Sequence, residues 1–313
     1  LLAVVLVVAY CTGVDRPAAL CLSVGQSCLA RAIEAGGAMS TATVSAQPLI
    51  SVIIPCYRDS ATLARAIDSV LAQRYPIVEI IVVNDCSPET CQIETVLAAY
   101  PTVRYVRNPQ NIGLAATRNV GLRIANGELV AFLDADDQYH CDKLAAQVAA
   151  LAPNRAVTCG VRHIPAGSEV PIDAAYVAQS PRTARATSAL LLRNTFNGAS
   201  LLAPRELLLA RGGYDAALRS CEDFDLWLRL IESNVEIYDI GLPLYYYHYN
   251  PAGLSKNFQN ISHWELTVML RYAERAGPTW RASQAYPRTL SIWLLRHLWR
   301  SELARDATLR ARN

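Results

Sequence analysis

The sequence has no Cys-x-x-Cys pair, no clustered histidines, no excess of either charge and no Gly-x-Gly-x-x-Gly after its first predicted strand. Each absence removes a class of function. With 29 Lys+Arg against 27 Asp+Glu and a formal net charge of +2, no long-range field points to nucleic acid as a partner. The nine cysteines, at 11, 21, 28, 56, 86, 91, 141, 159 and 221, lack zinc-site spacing and are odd in number, so they read as reduced, mostly buried thiols. That usage points to the cytoplasm or the cytosolic face of a membrane. A dinucleotide-dependent dehydrogenase is set aside because the glycines that cradle its cofactor's phosphates are missing.

The uncharged stretch from Leu1 to Val14 is shorter than the roughly 20 apolar residues of a spanning helix. The chain does not begin with Met, so this stretch reads as a truncated anchor, a signal remnant or a misassigned start, and no function is given to it. Residues Gly36 to Pro48 are small and polar, the composition of a linker. The expected organisation is an N-terminal extension over 1–48, a main domain over 49–255 and a helical C-terminal extension over 256–313. A hydrophobic content of 52% is ample for a core without covalent staples.

From Ile50 the chain alternates apolar runs with helix-period segments: strands at Ile50 to Ile54, Ile77 to Val83, Val103 to Val106 and Leu129 to Leu133, with helices from about Leu63, over Leu114 to Ala125 and over Lys143 to Leu151. Asp59 or Ser60 suits the first helix's N-cap. Doubly buried strands joined by helical crossovers predict an α/β fold with a mostly parallel central sheet flanked by helices, its ligand crevice at the strands' carboxyl ends. Beyond Ala156, candidate strands at Ala156 to Val161 and Val235 to Ile240 and helices at Pro204 to Ala210 and Asp223 to Ile231 predict a mixed or antiparallel extension. After about Asn260 the pattern is helical.

Three carboxylates, Asp134, Asp136 and Asp137, crowd the end of the strand that closes on Phe132-Leu133. Such neighbours raise one another's pKa, and a hard divalent cation, Mn²⁺ or Mg²⁺, relieves the repulsion and can bridge to a diphosphate. An acidic turn capping the next helix is the plainer alternative. Asp85, in Asn84-Asp85-Cys86-Ser87, sits at a second strand tip, so both acid sites face one crevice. Gly113 opens a helix carrying Arg118, a candidate phosphate or base contact set against an ordinary surface arginine. Downstream, Gly212-Gly213-Tyr214-Asp215 precedes Cys221-Glu222-Asp223, where a carboxylate serves either the helix dipole or general base catalysis.

Taken in order, Ser51 to Tyr57, Asn84 to Ser87, Gly113 to Asn119, Asp134 to Asp137, Gly212 to Asp215 and Glu222-Asp223 resemble the motif series of the family 2 glycosyltransferases. The resemblance covers about residues 49 to 255. It implies the GT-A fold, a nucleotide-diphosphate-sugar donor with UDP the expected nucleotide, a divalent metal, and inversion at the anomeric carbon. By the same resemblance Pro55 and Tyr57 line the nucleotide pocket, Asp85 accepts a hydrogen bond from the base, and Arg118 lies near the nucleotide. Asp134 serves the ribose, Asp136 and Asp137 the metal, and Asp223 is the catalytic base with Glu222 in reserve. The stretch Tyr247 to Ser255 resembles the family's His-containing loop. The departures are Asn84 in place of the first acid and Cys86 in place of the Gly of the usual Asp-Asp-Gly-Ser, and Arg58 in place of the frequent Asn after the Tyr.

The expected acceptor is a saccharide, lipid-linked or cell-envelope glycan hydroxyl. The rival function is a non-catalytic nucleotide-sugar binder, a degenerate transferase, whose support is the motif wear at Asn84 and Cys86. The stretch Ile292 to Arg312, with Trp293, Leu294, Leu298 and Trp299 beside Arg296, Arg300 and Arg305, reads as a helix packed on the core or as a peripheral membrane contact.

Overall fold

A computed structural model describes residues 47–191, 194–251, 253 and 258–310. The uncharged stretch from Leu1 to Val14, most of the linker, Cys11, Cys21 and Cys28, Leu254 and Ser255 all lie outside the described residues. So do the side chains beyond Arg300.

Four parallel strands form the half of the large sheet that carries the crevice. They are β1 (Ile50–Cys56), β2 (Val78–Asn84), β3 (Arg104–Arg107) and β4 (Leu129–Phe132), in the spatial order β3-β2-β1-β4. β1 is buried along its whole length, and its side chains alternate between two cores. Val52 and Ile54 pack with Leu63, Ala66, Ile67 and Val70 of helix α1 (Ser60–Leu71). Ile53 faces the other core with Ala115 and Leu122 of α3 (Leu114–Ile124). The helix between them, α2 (Thr90–Leu97), buries only Thr90 and Ile93. So narrow an apolar face left no helical period in the sequence.

β1 runs two residues past the predicted Ile54 and contains Pro55. A proline is tolerated there because pairing with β4 covers only Ile50 to Ile53. Past that point β1 has β2 on one side, and Pro55 faces Val83 in register.

The second half of the sheet is mixed, as expected. After β5 (Gln138–Tyr139) and α4 (Lys143–Ala149) come β6 (Arg155–Thr158), β7 (Val161–Ile164), β8 (Arg182–Ala184), α5 (Ser188–Leu191) and β9 (Leu202–Pro204). Then follow α6 (Arg205–Ala210), α7 (Glu222–Glu232), β10 (Glu236–Asp239) and β11 (Tyr245–His248). β9 lies antiparallel between β4 and β6, β10 runs parallel to β6, and β8 closes the edge. The predicted single strand from Ala156 to Val161 is two strands in two sheets, because the chain leaves the large sheet at Cys159-Gly160. A Cβ on Gly160 would meet the Leu242 carbonyl oxygen at 3.2 Å. From there β7 pairs with β11, which also pairs with β5, in a three-stranded sheet beside the crevice. The chain ends in α8 (Phe258–Arg275), α9 (Gly277–Ala282) and α10 (Ala285–Arg310).

One core position opposes burial. The Lys143 side chain on α4 is fully buried, donates to Gln147 Oε1 at 2.7 Å and lies 3.9 Å from the centre of the Tyr139 ring. Burial pushes its amine down to about 8. The folded state thus sheds this proton before the unfolded chain does. The charge costs stability below about pH 8, and that cost fades as pH rises toward the unfolded value near 10.5. In urea titrations, wild type should gain about 2 kcal/mol on Lys143→Met between pH 7.5 and pH 10. Parallel pH dependences would contradict the assignment.

Candidate active site

The carboxyl ends of β2, β1 and β4 stand side by side, and the predicted acids sit on or just after them. Asp85 follows β2 and is almost fully buried. Its Oδ1 accepts hydrogen bonds from Asn108 Nδ2 (2.9 Å) and the Ile112 N–H (2.9 Å), and its Oδ2 from the Gly113 N–H (2.8 Å). These bonds make the carboxylate fix the loop from Asn108 to Gly113. Beside it, Asn84 ties the turn after β2 together. Its Oδ1 accepts from the Ser87 N–H (2.8 Å), and its Nδ2 donates to Thr90 Oγ1 and Tyr105 Oη, both at 2.9 Å.

Two of the departures from the family's motifs fall where the backbone is left-handed: Arg58 has φ 64° and Cys86 φ 53°. Glycine and asparagine tolerate this region, whereas other side chains crowd the following carbonyl. Tyr57 is exposed, and the Arg58 guanidinium lies 5.3 Å from the centre of its ring. The two residues thus form a cationic aromatic step at the end of β1.

Arg118 is 3% exposed, so the reading of an ordinary surface arginine does not hold. Its Nη2 pairs with Asp134 Oδ1 at 2.7 Å and its Nη1 with Glu222 Oε1 at 2.6 Å. Tyr214 stacks beneath, 5.4 Å from guanidinium to ring centre. Burial disfavours the charge, but Asp134, Tyr214 and Glu222 outweigh it and raise the pKa. The next residue, Asn119, closes two hydrogen bonds on the Tyr214 backbone, 2.6 Å to its carbonyl and 2.8 Å from its N–H. This explains why Arg118-Asn119 and Gly213-Tyr214 occur as separate motifs in one chain: they lock into each other.

Asp134 and Asp136 are half-buried, while Asp137 is buried. Asp137 Oδ2 accepts from Tyr245 Oη (2.6 Å) and Oδ1 from the His248 N–H (2.8 Å). Through these two bonds Asp137 ties the acid turn to β11. His248 itself is buried against Gln138 Oε1 (2.7 Å), and burial, aided by Arg65, holds it down at about 4, hence neutral. Asp136 Oδ2 accepts from Asn250 Nδ2 (2.9 Å), and its carbonyl from Arg65 Nη2 (2.6 Å).

Asp59 stands at the N-cap position of α1 but makes no capping bond. The Ser60 N–H and Oγ turn instead to Glu89 Oε2. Burial and the nearby Asp136 push Asp59 up to about 7. Burial and Asp134 likewise raise Asp136, and burial with Asp134 and Asp136 pushes Asp137 up to about 8. This rim therefore holds more negative charge than its neighbours neutralise.

Across the Arg118 bridge, Asp223 sits in the first turn of α7. Its Oδ1 accepts from the Phe224 N–H (2.7 Å), and Oδ2 from Asn194 Nδ2 (3.3 Å). A Cβ on Gly198 would lie 2.5 Å from Asp223 Cβ, so the chain there must be glycine for Asp223 to keep its place. Burial, and then Glu222, push its carboxyl up to about 6. Asp59, Arg65, Asn194 and Gly198 are the site's neighbours that sequence motifs did not single out.

A second grouping, His140, Cys141 and Asp142, holds three ligand atoms within 4.8 Å and is the only such trio among the described residues. Arg74 pairs with Asp142 at 2.7 Å, and burial keeps the Cys141 thiol protonated. A guanidinium there opposes a cation, and a protonated thiol is a poor ligand.

The family model described as glycosyl transferase family 2 matches residues 51–201. An uncharacterized glycosyltransferase of Haemophilus influenzae is 32% identical over 218 residues, 68% of this chain and 73% of that protein. The chain belongs to glycosyl transferase family 2. An uncharacterized glycosyltransferase of Rickettsia felis is likewise 32% identical, over 59% of this chain but only 31% of its own length. Against the Escherichia coli UDP-Glc:alpha-D-GlcNAc-diphosphoundecaprenol beta-1,3-glucosyltransferase WfgD, identity is 25% over 67% of this chain and 80% of that protein. Among solved structures, the Pyrobaculum calidifontis mannosyltransferase in complex with GDP-Man and Mn²⁺ superposes with a TM-score of 0.58 at 19% identity, covering 86% of this chain and 82% of its own. Staphylococcus aureus TarS in complex with UDP-GlcNAc gives 0.57 at 20% identity, over 80% and 72%. The fold is therefore GT-A, as the motif series implied.

The Arg118 bridge yields a stability prediction. Arg118→Met leaves Glu222 buried and Asp134 partly buried without their cation, a loss of about 3–5 kcal/mol. Removing one of the stranded acids as well, in Arg118→Met/Glu222→Met, should restore a good part of it. Denaturant unfolding of wild type, single and double variants gives both values, and a single variant within about 1 kcal/mol of wild type would contradict the bridge's role.

Proposed function

We propose that this chain is an inverting glycosyltransferase that moves a sugar from a nucleotide-diphosphate-sugar donor to an acceptor hydroxyl. One observation carries the reading. The Arg118 bridge joins Asp134, in the acid turn after β4, to Glu222, beside the raised carboxyl of Asp223, so the diphosphate end and the proton-accepting end share one site. UDP is the expected nucleotide.

The donor set fits a divalent cation. Carboxylate oxygens are the ligands Mg²⁺ and Mn²⁺ prefer, and one or two of them with diphosphate oxygens complete such a shell. Asp136 is the principal ligand, with Asp134 and Asp59 nearby, and Asp137 positions the turn. When bound, the cation supplies charge neutralisation to the departing diphosphate.

At a pKa of about 6, Asp223 is ionised at neutral pH yet basic enough to accept a proton as it leaves. It removes that proton from the acceptor hydroxyl. The oxygen then attacks the anomeric carbon from the face opposite the leaving nucleoside diphosphate, and configuration inverts. Glu222 is engaged by Arg118 at 2.6 Å and acts by holding that guanidinium against Asp134. The wear at Asn84 and Cys86 does not favour the rival reading of a non-catalytic binder, because Asn84 closes the turn with three hydrogen bonds. The diphosphoundecaprenol-linked acceptor in the name of WfgD makes a lipid-linked diphosphate glycan the acceptor class to test first.

The test is Asp223→Asn assayed with UDP-sugars and Mn²⁺. Transfer and donor hydrolysis should fall by about 10³-fold or more, within the range general acid–base catalysis supplies, while UDP affinity stays within a few-fold of wild type. A variant that still turns over removes Asp223 from this role.

A further inference from the structure

Helix α10 presents its apolar residues in two directions. Trp293 is buried, with Nε1 donating to the Leu191 carbonyl, and packs against Phe224 of α7. His297 Nδ1 reaches Ser262 Oγ (3.3 Å), and Arg300 pairs with Glu265, so this side of α10 lies on α8. The opposite side should then be polar, but it is not. Leu294, Leu295, Leu298 and Trp299 are 42%, 65%, 61% and 63% exposed. Spaced as neighbours on successive turns, they form one outward strip, which ordinary surface helices do not leave uncovered.

The charge around the strip indicates what covers it. From Arg275 to Arg300 the chain has five arginines and no aspartate or glutamate. Arg275 and Arg300 are neutralised by Asp225, Glu232 and Glu265 of neighbouring helices. Arg296 lies 5.0 Å over the Trp293 ring. Arg281 and Arg288 are exposed, and Arg288 precedes the strip on the same side of α10. An outward tryptophan among leucines, flanked by arginines with no acid between them, matches a surface that is apolar beneath and anionic on top. A second copy of the same basic face would be repelled. No helix among the described residues is long and apolar enough to cross a membrane, so this contact lies on the surface.

We propose that Leu294, Leu295, Leu298 and Trp299, framed by Arg281 and Arg288, dock this chain on an anionic lipid surface. Docking of this kind uses shallow burial of the apolar face together with attraction to acidic headgroups. The proposal stands apart from the transfer reaction and requires neither donor nor acceptor.

The experiment is co-flotation of the full chain with vesicles of phosphatidylcholine alone or mixed with phosphatidylglycerol, without nucleotide or metal. Wild type should float with the anionic vesicles at least tenfold more strongly than with neutral ones, and the difference should shrink in high salt. Leu295→Glu/Trp299→Glu should lose that binding at least tenfold, and Arg288→Gln should weaken binding to anionic vesicles only. Thermal unfolding of each variant confirms that it is folded, since the substituted side chains are exposed. Tryptophan emission should shift to the blue on adding anionic vesicles, and Trp299→Phe should abolish the shift. Equal flotation of wild type and the double variant would overturn the proposal. So would no flotation at all, or a concentration-dependent dimer that the same substitutions break without any lipid binding.

Discussion

Negative charge concentrated at the carboxyl rim of a buried sheet is the constraint around which this structure is arranged. Asp134, Asp136 and Asp137 follow a strand whose residues are all inaccessible to water, and Asp59 closes in from the end of β1. The fold answers part of that charge with a buried guanidinium. Arg118 spans from Asp134 to Glu222 and, with Tyr214 beneath it, welds α3, the acid turn and α7 into one unit. Burial, together with the neighbouring acids that Arg118 leaves unanswered, raises the pKa values of Asp59, Asp136 and Asp137. Carboxyls in that state favour a proton or a cation, the need that the proposed divalent ion would meet.

The strands β1, β2 and β4 were legible because burial writes near-continuous apolar runs, and α1 and α3 because one face repeats every three to four residues. β5, β8, β9 and β11 were not. Each has two to four residues and exists because a neighbour offers a free edge, which no local pattern records. The site divides the same way. The acids of the turn after β4 stand together in sequence and were seen together. Asn194, Asn250 and Asp59 reach Asp223 or Asp136 from distant segments that carry no periodic signal.

The burial of Arg118 is instructive. Its own residue type argues for a surface, yet Ala115 and Leu122, three residues before and four after it, are both buried, so the helical period already placed Arg118 inward. A basic residue on an apolar face is a request for a buried acid. Arg58 and Cys86 make a parallel case. As substitutions they looked like motif wear, but both occupy left-handed backbone, a cost of about 1–3 kcal/mol each at positions the surrounding structure must hold. That cost falls beside Tyr57 and Asp85, at the end of β1 and β2, where a nucleotide would approach.

The central claim is that the acid rim is held for a cation, and the most direct test compares wild type with Asp136→Asn by thermal unfolding at pH 7.5, in EDTA and in Mn²⁺. A carboxyl raised in the folded state loses stability as pH climbs above its unfolded value, so at this pH Asp136 works against folding. In EDTA the Asn variant should therefore melt higher than wild type. With Mn²⁺ wild type should rise and the variant should not. A wild type indifferent to Mn²⁺, or an Asn variant that melts lower in EDTA, would contradict the account.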